Sequence, residues 1–144
     1  MMDLVVRAPR LPVIGESLLS HNFRTSPGGK GGNQAIAAAR LGASVTMIGQ
    51  VGADRFGEIL RERLEAEGVD TRFVSVDPEL GTGVAVPIVL DSGENAIFAV
   101  PQANLTLSPL LMERARDVIS SAAMLLVQFE VNMDATLAAM RLAE

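Results

Sequence analysis

Apolar positions along the chain fall into two rhythms. Between residues 54 and 67, Phe56, Ile59, Leu60 and Leu64 recur at three- and four-residue spacing, which predicts a helix with one buried face. Asp54 stands where a capping carboxylate belongs, and Gly68 where such a helix stops. Elsewhere the apolar residues are contiguous and often β-branched. "SVTMIGQVG" (44–52), "TRFVSV" (71–76), "TGVAVPIVL" (82–90) and "ENAIFAV" (94–100) predict strands, as does the short run at residues 4–6. "MLLVQF" (124–129) predicts a strand buried on both faces.

Alanine-rich residues 32–41, stopped by Gly42, predict a helix, as do residues 132–143. Ser108 and Pro109 mark another helix start, with Val118, Ile119 and Ala122 continuing its buried face. Pro9, Pro12, Gly15 and Pro27 punctuate residues 9–27, where irregular extended structure is expected. Pro87 has no N–H to donate, so its strand is expected at an edge or with a bulge. Strands alternating with helices imply an α/β fold with a parallel sheet. The pair joined by a tight turn at residues 91–93 breaks that rhythm and predicts a separate small β-sheet or flap.

Composition narrows the setting. The 144 residues suit one domain, and 49% hydrophobic with 20% charged residues reads as globular. A net charge of -5 argues against a nucleic-acid surface. There is no cysteine, hence no disulfide framework and no thiol nucleophile. The N-terminus lacks the pattern of a signal peptide, and the longest apolar run is too short to span a bilayer. The expectation is a cytoplasmic protein with no membrane partner. His21, the single histidine, stands without a partnered carboxylate motif and reads as a lid or surface residue.

The candidate chemistry lies in "SPGGKGGNQAIAAARLGA" (26–43), where Gly28, Gly29, Gly31 and Gly32 surround Lys30 ahead of a helix. Such a loop lets backbone approach a ligand closely, with helix N–H groups, the Lys30 ammonium and the Asn33 amide at hand. Equally, the glycines serve close packing of helix on sheet. A lysine followed by Gly31 rather than Ser or Thr does not make a P-loop, and "FRTSP" is a poor strand to precede a dinucleotide fingerprint.

These residues resemble the first signature of the ribokinase-like PfkB carbohydrate kinases, typically GGKGANQA. Four more segments are similar to that family: "MDLVVRAPRLPVIGE", "QVGADRFGEILRERLEAEGV", "TGVAVPIVLDSGENAIFAVPQANLTLSP" and "LLVQFE". The resemblance implies a ribokinase-like three-layer α/β sandwich with a partial, parallel central sheet. It also implies a small β-sheet lid, with lid strands at about 13–23, 82–90 and 95–100. It implies ATP-dependent phosphorylation of a sugar, ribose to ribose 5-phosphate, with Mg2+ and a monovalent cation in the full-length family. By the same resemblance, Asp3, Asn33 and Glu130 hydrogen-bond the sugar, and Gly29, Lys30, Gly31 and Gly32 close over it. The plainer readings are a solvated strand end for Asp3 and a helix-start carboxylate for Glu130.

The family's second signature, aspartate-threonine-x-glycine-alanine-glycine-aspartate, carries its catalytic base and does not occur in these residues. Met1 stands where the family has asparagine, and Gln102 where it often has glycine. The expectation is a sugar-binding half, cut at both ends, with the nucleotide-binding half absent. Such a chain would be inactive alone, bind no cofactor alone, and form a homodimer through its lid strands. A non-catalytic sugar-binding or interaction module, and another PfkB kinase acting on a nucleoside or fructose-type sugar, are the alternatives.

Overall fold

The Asp54 carboxylate starts its helix as its position predicts, with Oδ1 accepting from the Gly57 N–H at 2.9 Å. Gly68 follows the helix end at φ 78°, in the left-handed region that glycine enters freely. The computed structural model describes residues 1–144. Its elements run β1 (Met2–Ala8), β2 (Asn22–Pro27), α1 (Lys30–Arg40), β3 (Thr46–Gly52), α2 (Arg55–Ala66), β4 (Asp70–Asp77), β5 (Val84–Leu90) and β6 (Asn95–Val100). A 3-10 turn (Gln102–Thr106), α3 (Pro109–Arg114), α4 (Arg116–Ser121) and α5 (Met133–Leu142) complete the chain. No helix is long and apolar enough to cross a membrane.

The strands form a four-stranded sheet in the order β2-β1-β5-β6 and a two-stranded sheet, β3-β4. β1–β5 and β3–β4 are parallel, whereas β1–β2 and β5–β6 are antiparallel. This is the mixed α/β architecture expected, with sheets that are partial and open-edged. Only 25 of 144 residues are buried, so the core is divided. Met2, Val51, Leu60 and Val74 pack β1 and α2 against the two-stranded sheet. Ala35, Leu64 and Val69 join α1 to α2, and Leu107, Leu111, Met112, Ala115, Ile119, Ala135 and Ala139 unite the C-terminal helices.

Several expectations need correction. The hairpin β5–β6 lies, as expected, in a sheet separate from the parallel β3–β4 pair, but that sheet is larger than the hairpin, because β5 also pairs with β1. Pro87 is therefore interior. Its register with β6 runs unbroken, with no bulge, and the ladder to β1 lapses instead at Leu4 and Val5, between the Asp3↔Ala85 and Val6↔Ile88 pairs. A strand at about 13–23 does not form. The strand begins at Asn22 and includes the unpromising "FRTSP", because pairing along β1 from Met2↔Pro27 to Arg7↔Asn22 outweighs side-chain propensity. The helix predicted from Pro109 to Ala122 is offset at Ala115, whose N–H is shared by the Leu111 and Met112 carbonyls. Residues 124–129 carry no strand: residues 123–131 make no backbone–backbone hydrogen bond, so the apolar pattern lacks a ladder to join. His21 does find a carboxylate, its Nε2 standing 3.1 Å from Asp91 Oδ2 at the β5–β6 turn.

One buried residue ties the sheets together. Thr82, 2% exposed, donates its hydroxyl to Asp54 Oδ1 (2.7 Å) and accepts from the Gly52 N–H (2.9 Å). Its N–H donates to Asp54 Oδ2 at 2.7 Å, and its carbonyl accepts from Gln102 Nε2 at 3.1 Å. Burial pushes the Asp54 carboxyl up, but the Thr82 hydroxyl and the Thr82, Gly57 and Phe56 amides outweigh it and hold its pKa below the ordinary value.

Asp77 closes β4 in a similar way. Its carboxylate accepts from the Thr106 hydroxyl (2.5 Å), the Leu80 and Glu79 amides (both 2.9 Å) and Gln50 Nε2 (3.0 Å). Chiefly through Thr106, then the two amides, its pKa is lowered from 3.8 to about 2. The folded chain thus holds this proton less tightly than the unfolded chain. The resulting stabilisation is present above about pH 4 and is lost as pH falls through about 2. Acid titration of thermal unfolding, followed by circular dichroism, should show stability falling across that window. Asp77→Asn should lower the melting temperature at neutral pH and flatten the fall; an unchanged acid profile would remove Asp77 from this role.

Candidate functional site

The N-terminus of α1 is built without a side-chain cap and without an acidic residue in its first turn. Its N-cap is Gly29, at φ 85°, where a Cβ would lie 2.8 Å from the Met1 nitrogen. The first amides of the helix, at Lys30, Gly31 and Gly32, have no intrahelical partner. They stand at a cleft of about 1080 Å³ between α1 with β3 on one side and residues 118–131 on the other. Gly29, Lys30, Gly31, Gly32, Asn33 and Glu130 all line it.

Two side-chain links cross this cleft. Lys30 Nζ donates to Glu130 Oε1, joining residues 100 positions apart. Gln128 Nε2 donates to Gln34 Oε1 at 2.8 Å. The Asn33 N–H donates to the Gly29 carbonyl at 3.0 Å, and its exposed side chain makes no hydrogen bond within the protein. The site therefore offers an ammonium, a carboxylate, amides that donate and accept, and free backbone N–H groups. That inventory suits a compact polyol, whose hydroxyls both donate and accept.

Asp3 is placed differently. It lies on β1, paired with Ser26 and Ala85, and its carboxylate does not line the cleft but lies against Gly28, which does. A Cβ on Gly28 would lie 2.2 Å from Asp3 Oδ2, so any larger residue there would displace the Asp3 carboxylate. Gly28 was read from the sequence as part of the loop but was not among the residues that the family resemblance assigned to the sugar. Met1 lines the cleft, and the charges of Asp3 and Glu130 both raise the pKa of its amino group, although burial pushes it down overall.

The loop does not fit a triphosphate in the P-loop manner, since Gly31 follows Lys30. No group of three or more His, Cys, Asp or Glu stands together to hold a metal ion.

The family model "pfkB family carbohydrate kinase" matches residues 1–143. The chain belongs to the pfkB family of carbohydrate kinases. Among curated pfkB relatives it is 43% identical over 130 residues to the ribokinase of Bacillus subtilis, covering 90% of this chain and 44% of the relative. It is 39% identical over 143 residues to the ribokinase of Mus musculus, covering 99% of this chain and 44% of the relative. The chain thus spans less than half the length of these curated relatives. Among solved structures it resembles the ribokinase of Giardia lamblia, with a TM-score of 0.88, 30% identity, and coverage of 98% of this chain and 46% of that one. It also resembles the Arabidopsis thaliana ribokinase complexed with ribose and ATP, with a TM-score of 0.81, 28% identity, and coverage of 98% and 47%. These likenesses establish a ribokinase-like fold for the pfkB chain.

The Lys30–Glu130 pair contributes little to holding this fold. Its side chains are 65% and 45% exposed, so solvent screening limits it to less than about 1 kcal/mol. Lys30→Ala and Glu130→Gln should therefore leave the midpoint of urea unfolding nearly unchanged. A loss of several kcal/mol from either would make the pair structural.

Proposed function

We propose that residues 1–144 form the sugar-recognition part of a ribokinase-type enzyme that phosphorylates ribose to ribose 5-phosphate. In that reaction the 5-hydroxyl oxygen of ribose bonds to the γ-phosphorus, its proton leaves, and the bridging P–O bond of the nucleotide breaks. ATP supplies the phosphoryl group; the residues here hold and orient the acceptor sugar. The observation carrying this reading is the meeting of the Gly29–Asn33 segment and Glu130 on opposite walls of one cleft. Asp3, whose carboxylate lies against Gly28, brings a second carboxylate to the edge of that cleft. Without the second signature in these 144 residues, the chain alone binds sugar and does not transfer phosphate.

Calorimetry with ribose tests the binding. Asp3→Ala, Asn33→Ala and Glu130→Ala should each cost about 1–3 kcal/mol by leaving buried hydroxyls of the sugar unpaired. Three variants that bind like the parent would remove these residues from the site. Turnover of ribose and ATP that tracks the purified chain would overturn the assignment of a binding role alone.

The four-stranded sheet is the lid in this reading, and it joins two copies of the chain. Its outer strands β2 and β6 have free edges, and Phe23, Ile97, Phe98 and Val100 are 60%, 57%, 67% and 45% exposed. Edges and apolar surface of this kind favour self-pairing. Light scattering over a concentration series should find a dimer, and the pair of changes Phe23→Ser and Phe98→Ser should convert it to monomer. A parent chain that stays monomeric at high concentration would refute the lid dimer.

A further inference from the structure

Gln102 is the only non-glycine residue of the chain with a positive φ, 45°, in the left-handed region that L-residues avoid. Strain of this kind persists only where its surroundings fix it, and it marks positions with a task. The Gln102 amide lies across Gly81, where a Cβ would come within 2.8 Å of Oε1, and its Nε2 donates to the Thr82 carbonyl at 3.1 Å. The Ala103 N–H donates to the Gly81 carbonyl at 3.2 Å, so residues 81–82 and 102–103 are joined side by side. Each side of this junction leads to one of the two candidate carboxylates. From Thr82 the chain passes to Gly83, whose carbonyl accepts from the Met2 N–H at 2.9 Å, and Asp3 follows Met2. From Gln102 the 3-10 turn runs to Asn104, whose carbonyl accepts from the Asn132 N–H at 3.3 Å, two residues after Glu130. That bond is the first backbone anchor after residues 123–131.

We infer that Gln102 is a positioning residue, which acts through Thr82 on one side and Asn104 on the other to set the spacing between Asp3 and Glu130. The inference rests on the sugar-binding reading above and deepens it, because a sugar held between two carboxylates binds well only when their separation is fixed. Gln102 does not line the cleft and works through the backbone alone. A glycine at this position would relieve the backbone and lose the amide's bond, effects of similar size and opposite sign. Loss of the role would thus show in spacing and in affinity rather than in stability.

The chain has no cysteine, so Thr25→Cys and Met133→Cys admit one spin label each. Both positions are exposed; Thr25 pairs with Leu4, next to Asp3, and Met133 lies three residues after Glu130. The distance distribution between the labels is measured by pulsed electron paramagnetic resonance, alone and with Gln102→Gly or Gln102→Asn added. Ribose affinity by calorimetry and thermal unfolding are followed for the unlabelled parent and both variants. Asparagine tolerates the left-handed backbone but is one methylene shorter, so it removes the amide's reach without adding glycine's flexibility. Both variants should broaden or shift the distribution and weaken ribose binding by about fivefold or more, while Gln102→Gly unfolds close to the parent's temperature. A distribution that stays the same in both variants, or changes with glycine alone, overturns the inference and leaves the sugar reading standing. Ribose affinity equal to the parent's in both variants does the same. If the parent binds no ribose, the sugar-binding reading falls and this inference falls with it.

Discussion

The two sheets share one buried threonine, and the site depends on its hydrogen bonds. Thr82 uses every polar atom it has, on Asp54, Gly52 and Gln102, and so fixes the end of β3, the start of α2 and the entry to β5 at one point. The next residue passes this order to β1, because the Met2 N–H donates to the Gly83 carbonyl at 2.9 Å. Asp3 follows Met2 and meets Gly28, whose N–H donates to the Met1 carbonyl at 3.1 Å. A short path of hydrogen bonds and contacts thus runs from the junction of the sheets to the glycine loop. The close approach at the junction also dictates glycine, since a Cβ on Gly52 would lie 2.4 Å from the Thr82 nitrogen.

Gln102 shows what this arrangement tolerates. It alone among non-glycine residues has a positive φ, 45°, a conformation costing about 1–2 kcal/mol for an L-residue. Its side chain donates to the Thr82 carbonyl, a bond of roughly 1 kcal/mol that offsets much of that cost. The residue also sits where β6 leaves the four-stranded sheet and the helical C-terminal part begins. A glycine here would adopt the turn without strain but would leave the Thr82 carbonyl without its partner.

Around the cleft, stability and chemistry are separated. Asp54 and Asp77, each held by several hydrogen bonds, serve the sheet ends and lie outside the glycine loop. Lys30 and Glu130 pair directly but in contact with solvent, where the pairing adds little to folding. Residues 123–131, without backbone hydrogen bonds of their own, touch α1 through this pair and through Gln34–Gln128. Leu125 packs on the helical cluster while Met124 and Leu126 remain 75% and 61% exposed.

Local information in the sequence determined the elements whose signals are local. The 3.6-residue period and caps of α2, the Ser108 and Asn132 helix starts, the β-branched runs of β3 and β4, and the turn after Leu90 all depend on residues close together in the chain. The glycine loop was legible as a candidate from its own residues, whereas Glu130 was legible only through the family resemblance of its segment. Tertiary structure alone decided what depends on distant partners. β2 exists because β1 offers it a ladder, whereas residues 124–129, far more apolar, have no ladder and form no strand. Pro87 is interior because β1 and β6 flank it, and Gly28 matters because Asp3 folds against it. Strand pairing and close approach are properties of two segments at once, and the pattern within either segment does not contain the other.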